Sequence, residues 1–239
     1  MQATEIKKAL LAYGSPERAR HSSYFFKTGK GEYGEGDRFI GCTVPETRKV
    51  ASRYPAIPLN ELEQLLHDPL HECRLCALLI LVGQFNRADN ERRGEIVGFY
   101  LSHTSRVNNW DLVDLSCYQI VGEWLKDKGD RSLLYRLAES DLLWDQRIAM
   151  VSTLAFIRNH DFDDTLHLSQ IFLTHDHDLM HKASGWMLRE AGKRDEQVLT
   201  GFLDRFHRVM PRTMLRYAIE RLTPEQRQHY MQRSPKRLT

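Results

Sequence analysis

From Leu59 onward, apolar residues recur at intervals of three and four, and no run alternates in the two-residue rhythm of a strand. The pattern predicts helices at about 59–67, 70–86, 89–104, 109–126, 130–139, 143–159, 162–174, 178–192, 195–208, 211–221 and 224–233. Turn and capping residues mark the breaks, among them Asn86, Gly129-Asp130, Asn159-His160-Asp161 and Thr223-Pro224. Two short helices come first, at 3–12 and 16–27, with Ser15 as an N-cap and Pro16 in the first helical position. Between them and the rest lies TGKGEYGEGDRFIGCTV at 28–44, whose five glycines argue against helix, each costing about 1 kcal/mol in a helix interior. Pro45 then opens a helix to about Tyr54, which Pro55 and Pro58 end. The C-terminal QRSPKRLT reads as a frayed, basic tail.

A phrase recurs along these helices: Asp-x5-Arg/Lys followed by an apolar run. Its copies are Asp68 to Arg74 (DPLHECRLCALLIL), Asp141 to Arg147 (DLLWDQRIAMVSTL) and Asp176 to Lys182 (DHDLMHKASGWML). Arg147 and Lys182 are 35 residues apart, and Arg74 and Arg147 are 73 apart, about two such periods. The missing copy falls near residue 110, in NNWDLVDLSCYQIVGEWL, where Trp110, Asp111 and Asp114 replace the cation. A weaker last copy, PRTMLRYAIERL, places Arg212 after a shorter spacing of 30. A helical period of roughly 35–47 residues predicts an all-α solenoid of HEAT-like repeats. The expected layout is a single domain over 1–239: capping helices and a Gly-rich loop at 1–58, repeats at 59–222, and a helix and tail at 223–239. Arg74, Arg147 and Lys182 are expected at equivalent positions on one concave face. Such a face suits an anionic polymer, with chemistry at the one copy that departs.

Composition narrows the class. The 239 residues are 41% hydrophobic and 10% aromatic, enough for a core, and no stretch reaches the roughly 20 apolar residues of a membrane span. The start, MQATEIKKALLAYG, lacks the features of a signal peptide, so a cytoplasmic location is expected. Four cysteines make no disulfide framework at this length. A net charge of +2 permits nucleic-acid binding without arguing for it; only a patterned distribution would.

Each candidate has a plainer counterpart. Trp110 and Asp114 share a helical face at i and i+4, and Trp144 and Trp186 recur on later helices, but tryptophans at such spacing are usually core. Asp114 stands in an apolar run, where a buried carboxylate needs a partner or a task. Beside aromatic faces it suits a positive, sugar-like centre or the water that attacks it. Arg74, Arg147, Lys182, Arg189 and Arg212 could track phosphates, or could pair with acids of their own or adjacent turns. The stretch Gly29–Asp37 lacks the Gly-Lys-Ser/Thr ending of a phosphate loop and reads as a structured turn whose amides could touch one phosphate. Cys73-x2-Cys76 reads as a buried thiol pair, and His175, His177 and His181 as a solvated helix start. No metal and no cofactor are expected.

Three patches, in order and at repeat spacing, carry a resemblance: NWDLVD at 109–114, LLWDQRIAMVSTLAFIR at 142–158 and HKASGWMLREAGKRD at 181–195. With GEYGEGDRFIGCTVPETRKVA at 31–51, the chain resembles the DNA alkylation repair family of AlkD-like, HEAT-like repeat DNA glycosylases over about residues 5–220. The resemblance implies a solenoid that cradles duplex DNA and hydrolyses the N-glycosidic bond of cationic purines such as 3-methyladenine and 7-methylguanine. It implies that Asp114 is the catalytic aspartate, that Trp110 and Trp186 lie against the deoxyribose, and that Arg147 and Arg189 face the DNA backbone. It also implies catalysis without flipping the base into a pocket. The chain departs from the best-known members in carrying Asn109-Trp110 for a double Trp, and in the Gly-rich 28–37 stretch that replaces an N-terminal helical segment. Alkylated duplex DNA is the expected partner, and a monomer the expected state. A non-catalytic binder of damaged or branched DNA and a protein-interaction scaffold are the alternatives.

Overall fold

The computed structural model describes residues 2–232; residues 233–239, most of the expected basic tail, lie outside the described residues. Among the described residues every regular element is helical, apart from one isolated parallel bridge between Arg38 and Leu70. The chain divides into two compact units, Met1–Trp124 and Leu125–Thr239.

The first unit holds α1 (Gln2–Leu11), α2 (Pro16–Phe25), α3 (Val44–Ala51), α4 (Leu59–Leu66), α5 (His71–Arg87), α6 (Asn90–Ser102), α7 (Trp110–Asp114) and a π-helical turn, Tyr118–Gly122. α8 (Glu123–Leu125) follows. α5 is the axis of this unit, packing against α1, α3, α4, α6 and α7. It is buried on nearly every side, including Arg74, Cys73 and Cys76, which is why its sequence is apolar all round rather than striped. Ser15 caps α2, its Oγ accepting the Arg18 N–H, and Thr43 and Glu46 form a reciprocal capping box on α3.

The Gly-rich segment is fixed from two directions. The buried Glu72 carboxylate accepts the N–H groups of Ile40, Gly41 and Cys42 at 2.9, 2.8 and 3.2 Å. Gly41 has φ of +83°, and a Cβ there would lie 2.2 Å from the Ser15 carbonyl oxygen, so both its dihedral and its surroundings demand glycine. The amides of Gly29 and Gly31 are already taken by the carboxylates of Glu32 and Glu35, at 2.8 and 2.7 Å. The loop is thus the structured turn expected, with its acids in the place a phosphate would need.

The second unit holds α9 (Ser132–Ala138), α10 (Leu143–Ser152), α11 (Leu154–Ile157), α12 (Asp163–Ile171), α13 (Asp178–Arg194), α14 (Glu196–Phe206), α15 (Arg212–Ala218) and α16 (Pro224–Met231). Here α13 is the axis, packing on α10, α11, α12, α14 and α15. Leu188, Leu203, Met214 and Leu215 are fully buried in the core it shares with α14 and α15.

Two expected helices are broken. The 109–126 helix stops at Asp114, because the Ser116 hydroxyl donates back to the Leu112 carbonyl at 2.5 Å and also meets Tyr100 Oη at 3.0 Å. The chain resumes through the π turn, in which the i→i+4 ladder is stretched by one residue. The 143–159 helix breaks at Thr153, whose hydroxyl donates to the Met150 carbonyl at 2.7 Å.

Candidate functional site

α7 is short, and what aims it is a buried polar network. Asn109, fully buried, accepts the Trp110 N–H on Oδ1 at 2.8 Å and donates from Nδ2 to Asp37 at 3.2 Å. Asp111 turns inward and meets His71 Nε2 at 2.8 Å, while His71 Nδ1 meets Asp37 at 3.1 Å. Arg74 Nη2 donates to the other Asp37 oxygen at 2.5 Å. Burial alone would lower the His71 pKa, but the carboxylates of Asp111 and Asp37 outweigh it and raise it to about 9. Burial pushes Asp37 up, and its bonds to His71, Arg74 and Asn109 more than reverse this, leaving its carboxyl below the usual value. Two cations thus face two carboxylates in the interior, joining α5, α7 and the Gly-rich segment.

With Asp111 turned inward, Trp110 and Asp114 are left half-buried. The acid that the apolar run buries is therefore Asp111, with a partner, and not Asp114. Trp110 stacks on Phe26 at 5.3 Å between ring centres and 23°, and meets the edge of Phe25 at 5.9 Å. Phe26 in turn stacks on Phe39 at 5.1 Å. A cavity of about 270 Å³ opens beside this stack, lined among others by Arg18, His21, Phe26, Phe39 and His71.

The repeat has a structural register one residue away from the one its sequence suggests. Before α5, α10 and α13 the same turn recurs. The N-cap N–H is accepted two residues back, by Asp68 Oδ1 at 2.9 Å, Ser140 Oγ at 3.2 Å and His175 Nδ1 at 2.9 Å. The side chain four residues past the N-cap returns to the carbonyl of that same residue: Arg74 to Asp68 at 3.2 Å, Gln146 to Ser140 at 2.8 Å and His181 to His175 at 2.5 Å. Arg74 is therefore equivalent to Gln146 and His181, not to Arg147 and Lys182. Five residues past the N-caps Leu70, Asn109, Leu142, His177 and Pro211 stand Leu75, Asp114, Arg147, Lys182 and Arg216. Counted from the helix starts, Asp114 falls where α10, α13 and α15 carry a cation and α5 carries Leu75.

The expected cations differ in what they hold. Arg74, 2% exposed, has no surface to offer a phosphate; it pairs with Asp37 of the Gly-rich segment rather than with an acid of its own turn, Asp68 giving it only a backbone carbonyl while its carboxylate pairs with Lys7. Arg147 is also interior, its Nη1 donating to the Leu179 carbonyl at 2.6 Å. Lys182 reaches Asp178 at 2.7 Å and keeps 39% of its side chain exposed. Arg189 pairs with Glu220, and Arg212, exposed, donates to the Met231 carbonyl at 3.3 Å. Trp186 is half-buried, its Nε1 donating to Glu190 at 3.2 Å. Its neighbour Gly185 lets α13 and α15 touch: a Cβ there would lie 2.4 Å from the Met214 carbonyl oxygen.

A family model described as DNA alkylation repair enzyme matches residues 6–222. The chain belongs to the DNA alkylation repair enzyme family. Among solved structures, it is similar to one titled "Predicted DNA alkylation repair enzyme from Enterococcus faecalis", with a TM-score of 0.67 and 18% identity over 88% of this chain and 97% of that one. That likeness gives the fold class, an α-solenoid of helical repeats. No curated protein matches the chain.

The remaining sequence candidates resolve as structure. Cys73 and Cys76 are buried free thiols; burial pushes both up, Cys76 to about 12, which disfavours the thiolate a metal requires. The expected solvated helix start at His175, His177 and His181 is instead a half-buried hydrogen-bonded turn, with His175 Nε2 also meeting Gln146 at 2.8 Å. Sequence reasoning missed Arg216, which only the N-cap count brings into register, and His71, whose task appears only once Asp37 and Asp111 converge on it. Among the described residues, no helix is long and apolar enough to cross a membrane.

Proposed function

We propose that the protein is a monofunctional DNA glycosylase that hydrolyses the N-glycosidic bond of cationic alkylated purines, such as 3-methyladenine and 7-methylguanine, in duplex DNA. The observation that carries this reading is Asp114: a half-buried carboxylate at the repeat position that elsewhere bears Arg147, Lys182 and Arg216. A positively charged base leaves without a general acid. What its departure requires is negative charge beside the oxocarbenium-like sugar and a seat for the attacking water, and Asp114 offers both. Trp110, and in the family assignment Trp186, present π faces to the electron-poor sugar edge. Lys182, Arg189, Arg212 and Arg216 are assigned to backbone phosphates, with Arg147 holding the start of α13. No lysine is assigned beside Asp114, so strand cleavage does not follow. The protein acts as a monomer in the cytoplasm.

The test is release of 7-methylguanine from methylated duplex DNA by wild type and Asp114→Asn. The near-isosteric change should keep the fold and cut release about a hundredfold, an electrostatic loss on the order of 3 kcal/mol. Full activity in the variant would overturn the mechanism. A second reading, a binder that does not excise, draws on the Trp110 ring being packed against Phe25 and Phe26, which occupies part of its π surface. Duplex binding with no release by wild type would establish it.

A further inference from the structure

Glu63, His67 and His103 come together from places that sequence spacing does not link. Glu63 lies on α4, His67 is the C-cap of α4, and His103 is the C-cap of α6. Their ligand atoms all lie within 4.8 Å of one another, with His103 Nε2 at 3.3 Å from Glu63 Oε1. The two rings meet edge to face at 5.7 Å and 84°.

The protonation of both rings is dictated by their neighbours. His67 Nδ1 is 2.9 Å from the Glu63 carbonyl, and His103 Nδ1 is 2.7 Å from the Phe99 carbonyl. A carbonyl can only accept, so each Nδ1 must carry a proton, and in the neutral ring each Nε2 is a lone pair. That is the arrangement of a metal-ligating histidine, whose other nitrogen donates to a carbonyl that fixes the tautomer and orientation. In the neutral ring the His103 Nε2 lone pair faces a carboxylate oxygen, two acceptors 3.3 Å apart. Only a proton or a metal ion between them resolves that contact. Both histidines also end helices, where the carbonyl dipoles favour a cation.

We propose that Glu63, His67 and His103 bind a late first-row transition-metal ion of the zinc class. Two imidazoles and one carboxylate select zinc over magnesium or calcium, which take oxygen ligands. Bonds of about 2.0–2.1 Å in a tetrahedron bring ligand atoms to about 3.4 Å apart. The His103–Glu63 pair already has that spacing, and side-chain rotation of partly exposed groups brings in His67. Water completes the shell. The ion ties the end of α4 to the end of α6, and the proposal is independent of the glycosylase reading.

The test is titration of tag-free, chelator-stripped protein with Zn²⁺ by calorimetry, with Co²⁺ absorption as a second readout. Wild type should bind one Zn²⁺ saturably and melt at a higher temperature with it. His103→Ala and Glu63→Gln should each weaken binding at least tenfold while keeping the helical circular dichroism spectrum. The Co²⁺ complex should show visible d–d bands of tetrahedral intensity, lost in His67→Ala/His103→Ala. No saturable binding to wild type, or binding unchanged in that double variant, would overturn the proposal.

Discussion

Two carboxylates three residues apart, Asp111 and Asp114, are given different surroundings by the fold. Asp111 is 7% exposed and bonded to His71, while Asp114 remains half-buried at the last residue of α7. Sequence pattern reveals both acids but not which one turns inward, because the choice is made by Asn109 and by partners on α5 and the Gly-rich segment, far away in the chain. The same network gives stability a pH signature. His71 rises from about 6.5 unfolded to about 9 folded, so its contribution is complete below about pH 6.5 and is lost as pH rises through about 9. Asp37, Asp111 and Arg74 surround it, and the lowered Asp37 acts at the opposite end, stabilising above its unfolded pKa and ceasing to do so as pH falls through the folded value. Urea unfolding of wild type should therefore lose stability between pH 6.5 and 9, on the order of 3 kcal/mol at most. In His71→Gln that slope should flatten, at a lower overall stability, since two buried carboxylates lose a cation. An identical slope in the variant would show that other groups set the pH dependence.

At the scale of elements, most helices were readable because amphipathic period and capping chemistry are local properties. Ser15 and Thr223 both cap where their sequence says they should. The register of the repeat was not readable. Aligning on Asp-x5-Arg/Lys sets Asp68 against Asp141 and Asp176, whereas the turn sets it against Ser140 and His175. Any side chain that accepts the N-cap N–H serves there, and Arg, Gln or His can close it, so the constant is a hydrogen-bond pattern rather than a residue type. The break after Asp114 was equally hidden, since it depends on one Ser116 hydroxyl turning back. Packing between helices offers a sharper test. Gly185→Ala should gain about 1 kcal/mol in helix propensity, yet the new Cβ meets the Met214 carbonyl oxygen at 2.4 Å and Tyr217 Cβ at 2.6 Å. Forcing α13 and α15 apart costs about 1–3 kcal/mol, so the variant should be net destabilised or, at best, neutral. A rise in the denaturation midpoint would mean that α15 yields freely, and that Gly185 does not set the seat of Trp186.

For the molecule as a whole, a net charge of +2 is too small to hold DNA by itself, so the proposed binding depends on where the cations stand. The sequence pointed to Arg74, Arg147 and Lys182, and burial removes the first from consideration and gives the second an internal partner. The register supplies a replacement. Arg216 is exposed and stands 34 residues after Lys182, close to the 35 that separate Lys182 from Arg147, whereas Arg212 interrupts that rhythm. If the proposed DNA contacts follow the register, Lys182→Ala and Arg216→Ala should each weaken duplex binding across sequences alike, because phosphate contacts carry no base information. Each should also lower the slope of log affinity against log salt by about 1, measured by fluorescence anisotropy from about 50 to 200 mM salt. Arg74→Met should leave that slope unchanged even if it costs stability, because its guanidinium answers Asp37 rather than solvent. A slope that moves with Arg74 and not with Lys182 or Arg216 would sever the link between repeat register and DNA contact. A slope near zero in wild type would favour a protein-interaction scaffold over a DNA-binding enzyme, since a surface that releases no counterions neutralises no phosphates.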